Sequence, residues 1–177
     1  MRLRTLPLGL LALGLPGCAD LFGTSDPHAP GTPLGRFQVT ADLATNDCGA
    51  GALGSTPSWE FDVSLSRESQ QLFWDSGGET LTGTLSGTGA FAFAAMVSID
   101  MRDGGKGPAC VVHRTDTASG QLQGEPVEGF TGSLGYAFAA EGACEDLVYG
   151  AQPSFAQLPC SMGYAMTGVL VEPPAEE

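Results

Sequence analysis

Apolar and polar residues alternate with a period of two along most of this chain. Phe37, Val39, Ala41 and Leu43 are separated by Gln38, Thr40 and Asp42, and Trp59, Phe61, Val63 and Leu65 by Glu60, Asp62 and Ser64. Strands with one buried and one wet face give this pattern, because successive side chains point to opposite sides of the pleat. The spacing recurs in Leu81 and Leu85 around Gly83, in Phe91, Phe93, Ala95, Val97 and Ile99, in Phe130, Leu134, Tyr136 and Phe138, and in Tyr164, Met166 and Leu170. Shorter runs lie at Leu72 to Trp74, Cys110 to Thr117 and Gly120 to Gly124. Ser76-Gly77-Gly78, Gly87-Thr88-Gly89 and Ser119-Gly120 fall between runs and read as tight turns, where hairpins need positive φ. Only Glu145 to Tyr149 reads as a short helical turn. The pattern predicts an all-β domain, an antiparallel meander of about 8–10 strands. A barrel is the preferred closure because it removes exposed edges, with a β-sandwich as the alternative. Outward runs such as Glu60, Asp62, Ser64 and Thr80, Thr82, Thr84 are not lipid-facing surfaces, so the predicted barrel is a soluble one.

The N-terminus is patterned differently. Arg2 and Arg4 precede a ten-residue apolar run from Leu6 to Leu15. That run is too short for a bilayer core, which takes about 20 apolar residues, and has the layout of a signal peptide. Leu15-Pro16-Gly17-Cys18 resembles the lipobox of bacterial lipoproteins, with leucine at −3, a small residue at −1 and the cysteine that becomes residue one. The resemblance implies cleavage after Gly17, a diacylglyceryl group on the Cys18 thiol and acylation (palmitate-type) of the new amine. Ala19 in place of an aspartate implies the outer membrane rather than retention in the inner one. Expected boundaries are therefore a signal peptide over 1–17, a lipidated N-terminus and Pro/Gly/Ser-rich linker over 18–34, one β-domain over 35–171 and an acidic tail over 172–177. His28 lies in the linker and is assigned no role.

Charge narrows the partners. The whole chain carries −13, and cleavage removes two arginines, leaving five basic against twenty acidic side chains, or −15. Nucleic acid requires clustered Lys and Arg, and a polybasic grip on anionic lipid requires the same, so both are excluded as partners. Apart from Cys18, the cysteines are Cys48, Cys110, Cys144 and Cys160. Four cysteines in an exported chain predict two disulfides, with three possible connectivities. Cys144–Cys160 is favoured, as facing positions at the neck of one long hairpin loop, which leaves Cys48–Cys110. No CxxC or HxxxH spacing marks a zinc site, and no metal or other cofactor is predicted.

Catalytic constellations are weak. There is no GxSxG elbow, and His113, the lone histidine of the predicted domain, reads as a paired surface residue beside Arg114 and Asp116. Gly104-Gly105-Lys106-Gly107 lacks the Ser/Thr and the helix of a P-loop, and Pro108 blocks that helix. Asp100 and Asp103 match no calcium-loop spacing. Glu60 with Asp62, or Glu125 with Glu128, is the sort of acid pair that a chain this acidic carries anyway. No catalytic residue is assigned. Trp59, Phe61, Phe91, Phe93, Tyr136, Phe138 and Tyr164 form the most informative set, either a filled core or an apolar pocket at a barrel mouth, as in lipocalin-sized carriers. In organisation the chain resembles small β-rich lipoproteins of myxobacteria and their relatives, a likeness that brings no activity with it. The expected function is that of a non-enzymatic, lipid-anchored envelope protein binding a protein or surface component. The alternative is a barrel carrier of a small apolar ligand, with a hydrolytic enzyme third.

Overall fold

The computed structural model describes residues 30–52, 56–78, 80–102 and 107–174. Eight strands form one closed antiparallel barrel: β1 (Thr32–Asn46), β2 (Ser58–Glu68), β3 (Gln71–Asp75), β4 (Leu81–Leu85), β5 (Ala90–Asp100), β6 (Cys110–Gln123), β7 (Gly129–Gly142) and β8 (Cys160–Glu172). Each strand pairs with the next, and β8 returns to β1 with Phe37 opposite Leu170 and Ala41 opposite Met166. Among the described residues one short helix, α1 (Asp146–Tyr149), interrupts the β7–β8 connection. The predicted meander is thus closed as a barrel, and the sandwich is set aside.

The period-two pattern explains which residues are inside. Phe37, Val39 and Ala41 of β1, Val63 and Leu65 of β2, and Met162, Tyr164 and Met166 of β8 are all buried. Arg36, Asp62 and Glu172 meet on the outside, where the Arg36 guanidinium lies 3.6 Å from Asp62 and 3.4 Å from Glu172. No helix among the described residues is long and apolar enough to cross a membrane.

The two ends differ. At one end β2–β3, β4–β5 and β6–β7 are joined by tight connections, and β1 begins there, with Thr32 opposite Arg67. At the other end the connections β1–β2, β5–β6 and β7–β8 are longer. The wall is also uneven, because β3 and β4 have five residues each whereas β6 and β7 have fourteen. The open end is therefore low on the β3–β4 side and tall on the side of β5 to β8.

Several sequence expectations are corrected. Ser119-Gly120 is no turn: it lies inside β6, opposite Ser133 and Gly132, and joins the two short runs into one strand. Gly120 is there for space, since a Cβ would come within 2.8 Å of the Phe91 ring. β1 begins at Thr32, within the stretch expected as linker: Thr32 and Pro33 pair with β2, and Leu34 packs on the core. β8 runs to Glu172, whose carboxylate faces Arg36.

The disulfides are Cys48–Cys160 and Cys110–Cys144, not the favoured Cys144–Cys160 with Cys48–Cys110. Strand register is the reason. Cys160 lies opposite Phe138, six residues before Cys144, whereas Gly142 lies opposite Cys110 and brings Cys144 beside that cysteine. At about 3.3 Å per residue along a strand, the favoured pair belonged to different heights of the wall. Cys48–Cys160 instead fastens the closing seam between β1 and β8 at the open end, and Cys110–Cys144 fastens β6 to β7 at the same end. Cys18, His28, Asp103, Lys106, the expected signal peptide and most of the linker lie outside the described residues.

Candidate functional site

The barrel interior is filled by aromatic rings near the tight-turn end. Val112, Phe138 and Met162 are buried again toward the open end, beside Leu147 and Phe155 of the β7–β8 connection, and cavities lie between these two packed regions. Phe130 is the hub of the filled part, with ring centroids 5.6 Å from Phe37, 5.7 Å from Phe91 and 5.8 Å from Trp74. These rings fit because glycines face them. An added Cβ at Gly168 would run into the Phe130 ring, and one at Gly83 would come within 2.5 Å of Phe93. Glycine inside a strand commonly marks this kind of close approach.

Above this plug two inward positions are small. Ala95 of β5 and Ala118 of β6 continue the inner faces of Phe91–Phe93 and of Cys110–Val112, and they leave room. A cavity of about 340 Å³ results, walled by Trp59, Phe61, Trp74, Phe93, Leu134 and Tyr136, with both alanines on its lining. A second, of about 330 Å³, shares Trp59, Asp116 and Tyr136 with it and adds Thr56, Arg114 and Tyr164. Ring contacts run without a break around this mouth. Centroid separations are 6.2 Å from Trp74 to Phe61, 4.8 Å from Phe61 to Trp59, 6.2 Å from Trp59 to Tyr164 and 6.1 Å from Tyr164 to Tyr136. Trp59 is 38% exposed and forms the rim.

The polar content is small and specific. Arg114 and Asp116 share the inner face of β6 with Val112 and Ala118, so both point into the mouth. The Arg114 guanidinium donates through Nε and Nη2 to the two Asp116 oxygens, each at 2.7 Å. It also lies 5.9 Å from the Tyr136 ring centroid, within cation–π range. Burial, and to a lesser degree the Asp116 carboxylate, push the Tyr136 phenol above its ordinary value, so it stays protonated and able to donate.

No family model matches the chain, and no curated protein or solved structure is significantly similar to it. The geometry alone carries the assignment.

Five of the seven aromatics singled out in the sequence come together here: Trp59, Phe61, Phe93, Tyr136 and Tyr164. Phe91 belongs to the plug, and Phe138 packs on Phe155 of the β7–β8 connection at 5.3 Å. Sequence reasoning missed Trp74, Arg114 and Asp116. Counting in twos from Val112 to Ala118 places Arg114 and Asp116 inward, so the signal was present. Trp74 follows from Leu72 in the same way.

His113, by contrast, is on the outside. Its Nδ1 lies 2.9 Å from the Ser98 hydroxyl and its Nε2 3.1 Å from Glu141, rather than beside Arg114 or Asp116. It borders a broad outer groove of about 670 Å³ with Met96, Ala137 and Ser161, separated by the barrel wall from the mouth. Glu60 and Asp62 lie on the outer face of β2, and Glu125 and Glu128 at the tight-turn end, so neither acid pair adjoins the cavities. Asp47, Cys48 and Cys160 cluster, but both cysteines are consumed by a disulfide and offer no thiolate. At the open rim Arg102 grips α1, donating to both Asp146 oxygens at 2.9 and 2.6 Å and to the Ala143 carbonyl at 2.7 Å. Those hydrogen bonds from Arg102 hold the Asp146 carboxyl below its ordinary range.

Proposed function

We propose that this chain is an exported, lipid-anchored envelope protein, non-enzymatic, that binds a small and largely apolar molecule in the open mouth of its barrel. The observation that carries the reading is the hollow above the phenylalanine plug, lined by aromatic rings around one internal ion pair. Cavities of this size and lining are what small-ligand sites use, with few polar groups to orient the occupant. A barrel built only for stability would fill these positions, since each unfilled methyl-sized space costs about 1 kcal/mol. Ala95 and Ala118 stand where larger side chains would fit.

The reading of a module that docks a protein is less well supported. Among the described residues the exposed large apolar side chains fall in separate places: Trp59 on the rim, Val97 and Ile99 on one face of β5 and Met96 on the other, Tyr149 on α1, and Val169 and Val171 near the end of β8. The anchor is proposed from Leu15-Pro16-Gly17-Cys18, and the outer membrane from Ala19.

Native mass spectrometry of the full chain, purified in mild detergent from an expressing envelope, tests this. A bound ligand adds a mass that is lost on denaturation, whereas lipid on Cys18 adds one that persists. Ala118→Phe, which fills the hollow, should abolish the first and keep the second. A ligand mass unchanged in Ala118→Phe would place the binding site elsewhere. If wild type carries no removable mass, and takes up none from a total lipid extract of the host, the carrier reading fails.

A further inference from the structure

The mouth is richer in hydrogen-bond donors than its apolar lining implies. Tyr164 is 4% exposed and Trp74 5%, yet neither its phenol oxygen nor its indole nitrogen has a hydrogen-bond partner among the described residues. Among the described residues, no buried side-chain nitrogen or oxygen is both sealed off and unpartnered. The small exposed part of each residue must therefore include its polar atom, and the surface available to it is the cavity that it lines. An indole N–H donates only, and a phenol donates readily, so both ask for an acceptor. A polar group this buried, left without a partner, costs free energy that a ligand acceptor recovers.

Charge selects further. Arg114 and Asp116 neutralise each other inside the mouth. A cationic ligand would meet the guanidinium, and an anionic one the carboxylate together with the chain's large negative charge. Aromatic rings from five strands line the cavities and favour a flat occupant.

We propose that the mouth recognises an uncharged, planar, mostly apolar molecule bearing a carbonyl-type oxygen, which accepts a hydrogen bond from Tyr164 or Trp74. This deepens the ligand-binding reading above and rests on it.

Four matched probes test it on the full chain: 2-acetylnaphthalene, 2-ethylnaphthalene, 2-naphthoate and a 2-naphthyl trimethylammonium salt. Binding is read by calorimetry and by quenching of intrinsic fluorescence, which is clean because the chain's 2 tryptophans, Trp59 and Trp74, both line the cavity. The ketone should bind at least tenfold more tightly than either charged probe. It should also match or exceed the ethyl compound, although the latter is driven from water more strongly. In Tyr164→Phe or Trp74→Phe, the ratio of ketone to ethyl affinity should fall about threefold to tenfold, the worth of one neutral hydrogen bond. Retained binding of the ethyl probe shows that the variants fold. If a charged probe binds best, or neither variant changes the ratio, the acceptor proposal is overturned while the cavity reading stands. If none of the four binds up to its solubility limit, both fall.

Discussion

The phenylalanine plug depends on residues that have no side chain. Gly168 faces Phe130, and any Cβ there would occupy space the ring already holds. Gly168→Ala should therefore lower stability by about 1–3 kcal/mol, the usual cost of overpacking a core. Urea unfolding checks this, and in a Phe130→Leu background the penalty should shrink, because the two positions are in contact. Tyr136 gives a second prediction at this scale. Burial raises its folded-state pKa above the ordinary 10.0, so the folded chain holds the phenol proton more tightly than the unfolded one. Its contribution is then complete below about pH 10 and is lost as pH rises from there through the folded value. Thermal melts from pH 8 to pH 11 should fall on the alkaline side in wild type and fall less in Tyr136→Phe. Equal slopes would mean that the phenol is not held in its neutral form.

At the scale of elements, the seam between first and last strand decides whether the meander is a barrel. Cys48–Cys160 fastens that seam and closes a separation of 112 residues, against 34 for Cys110–Cys144. In the chain-entropy view, the longer loop gains more from its bridge. Cys48→Ala/Cys160→Ala should cost about 4–5 kcal/mol, and Cys110→Ala/Cys144→Ala about 3–4 kcal/mol. Urea midpoints of the two double variants should rank in that order, and the reverse order would mean that rim strain outweighs loop length. The strands themselves were legible in the chain, because inner and outer faces differ in polarity at nearly every step of β1 and β2, and bulky residues alternate with small ones along much of β5 and β7. Register was not. Nothing in the local pattern says that Phe138 rather than Cys144 stands opposite Cys160, since register is set by how all eight strands close. Gly120 misled for a related reason: glycine serves both tight turns and close ring contacts, and only the approach of Phe91 from the neighbouring strand distinguishes them. The site was half legible. Its aromatics lie in clear alternating runs, but Arg114 and Asp116 carry charge, and charge in a strand normally marks the wet face.

For the whole molecule, the relation between anchor and mouth matters most. β1 enters at the tight-turn end, 14 residues after Cys18, so a lipid on that cysteine would hold the barrel by the end opposite its opening. Two or more acyl chains anchor stably, at about 0.8 kcal/mol for each buried CH₂, whereas a surface this acidic adds no attraction to anionic headgroups. Attachment should then be purely hydrophobic. A 1 M salt wash should leave the wild-type protein on membranes, and Cys18→Ala should appear in the soluble fraction; retention of Cys18→Ala on the membrane would overturn the lipid assignment. Because the mouth lies at the far end, attachment should not obstruct it. The soluble Cys18→Ala chain and the vesicle-bound wild type should bind 2-acetylnaphthalene with dissociation constants within about twofold of each other, after correction for probe dissolved in the lipid. A much weaker affinity on vesicles would mean that the barrel lies with its mouth against the bilayer, and that ligand exchanges directly with the membrane rather than through water.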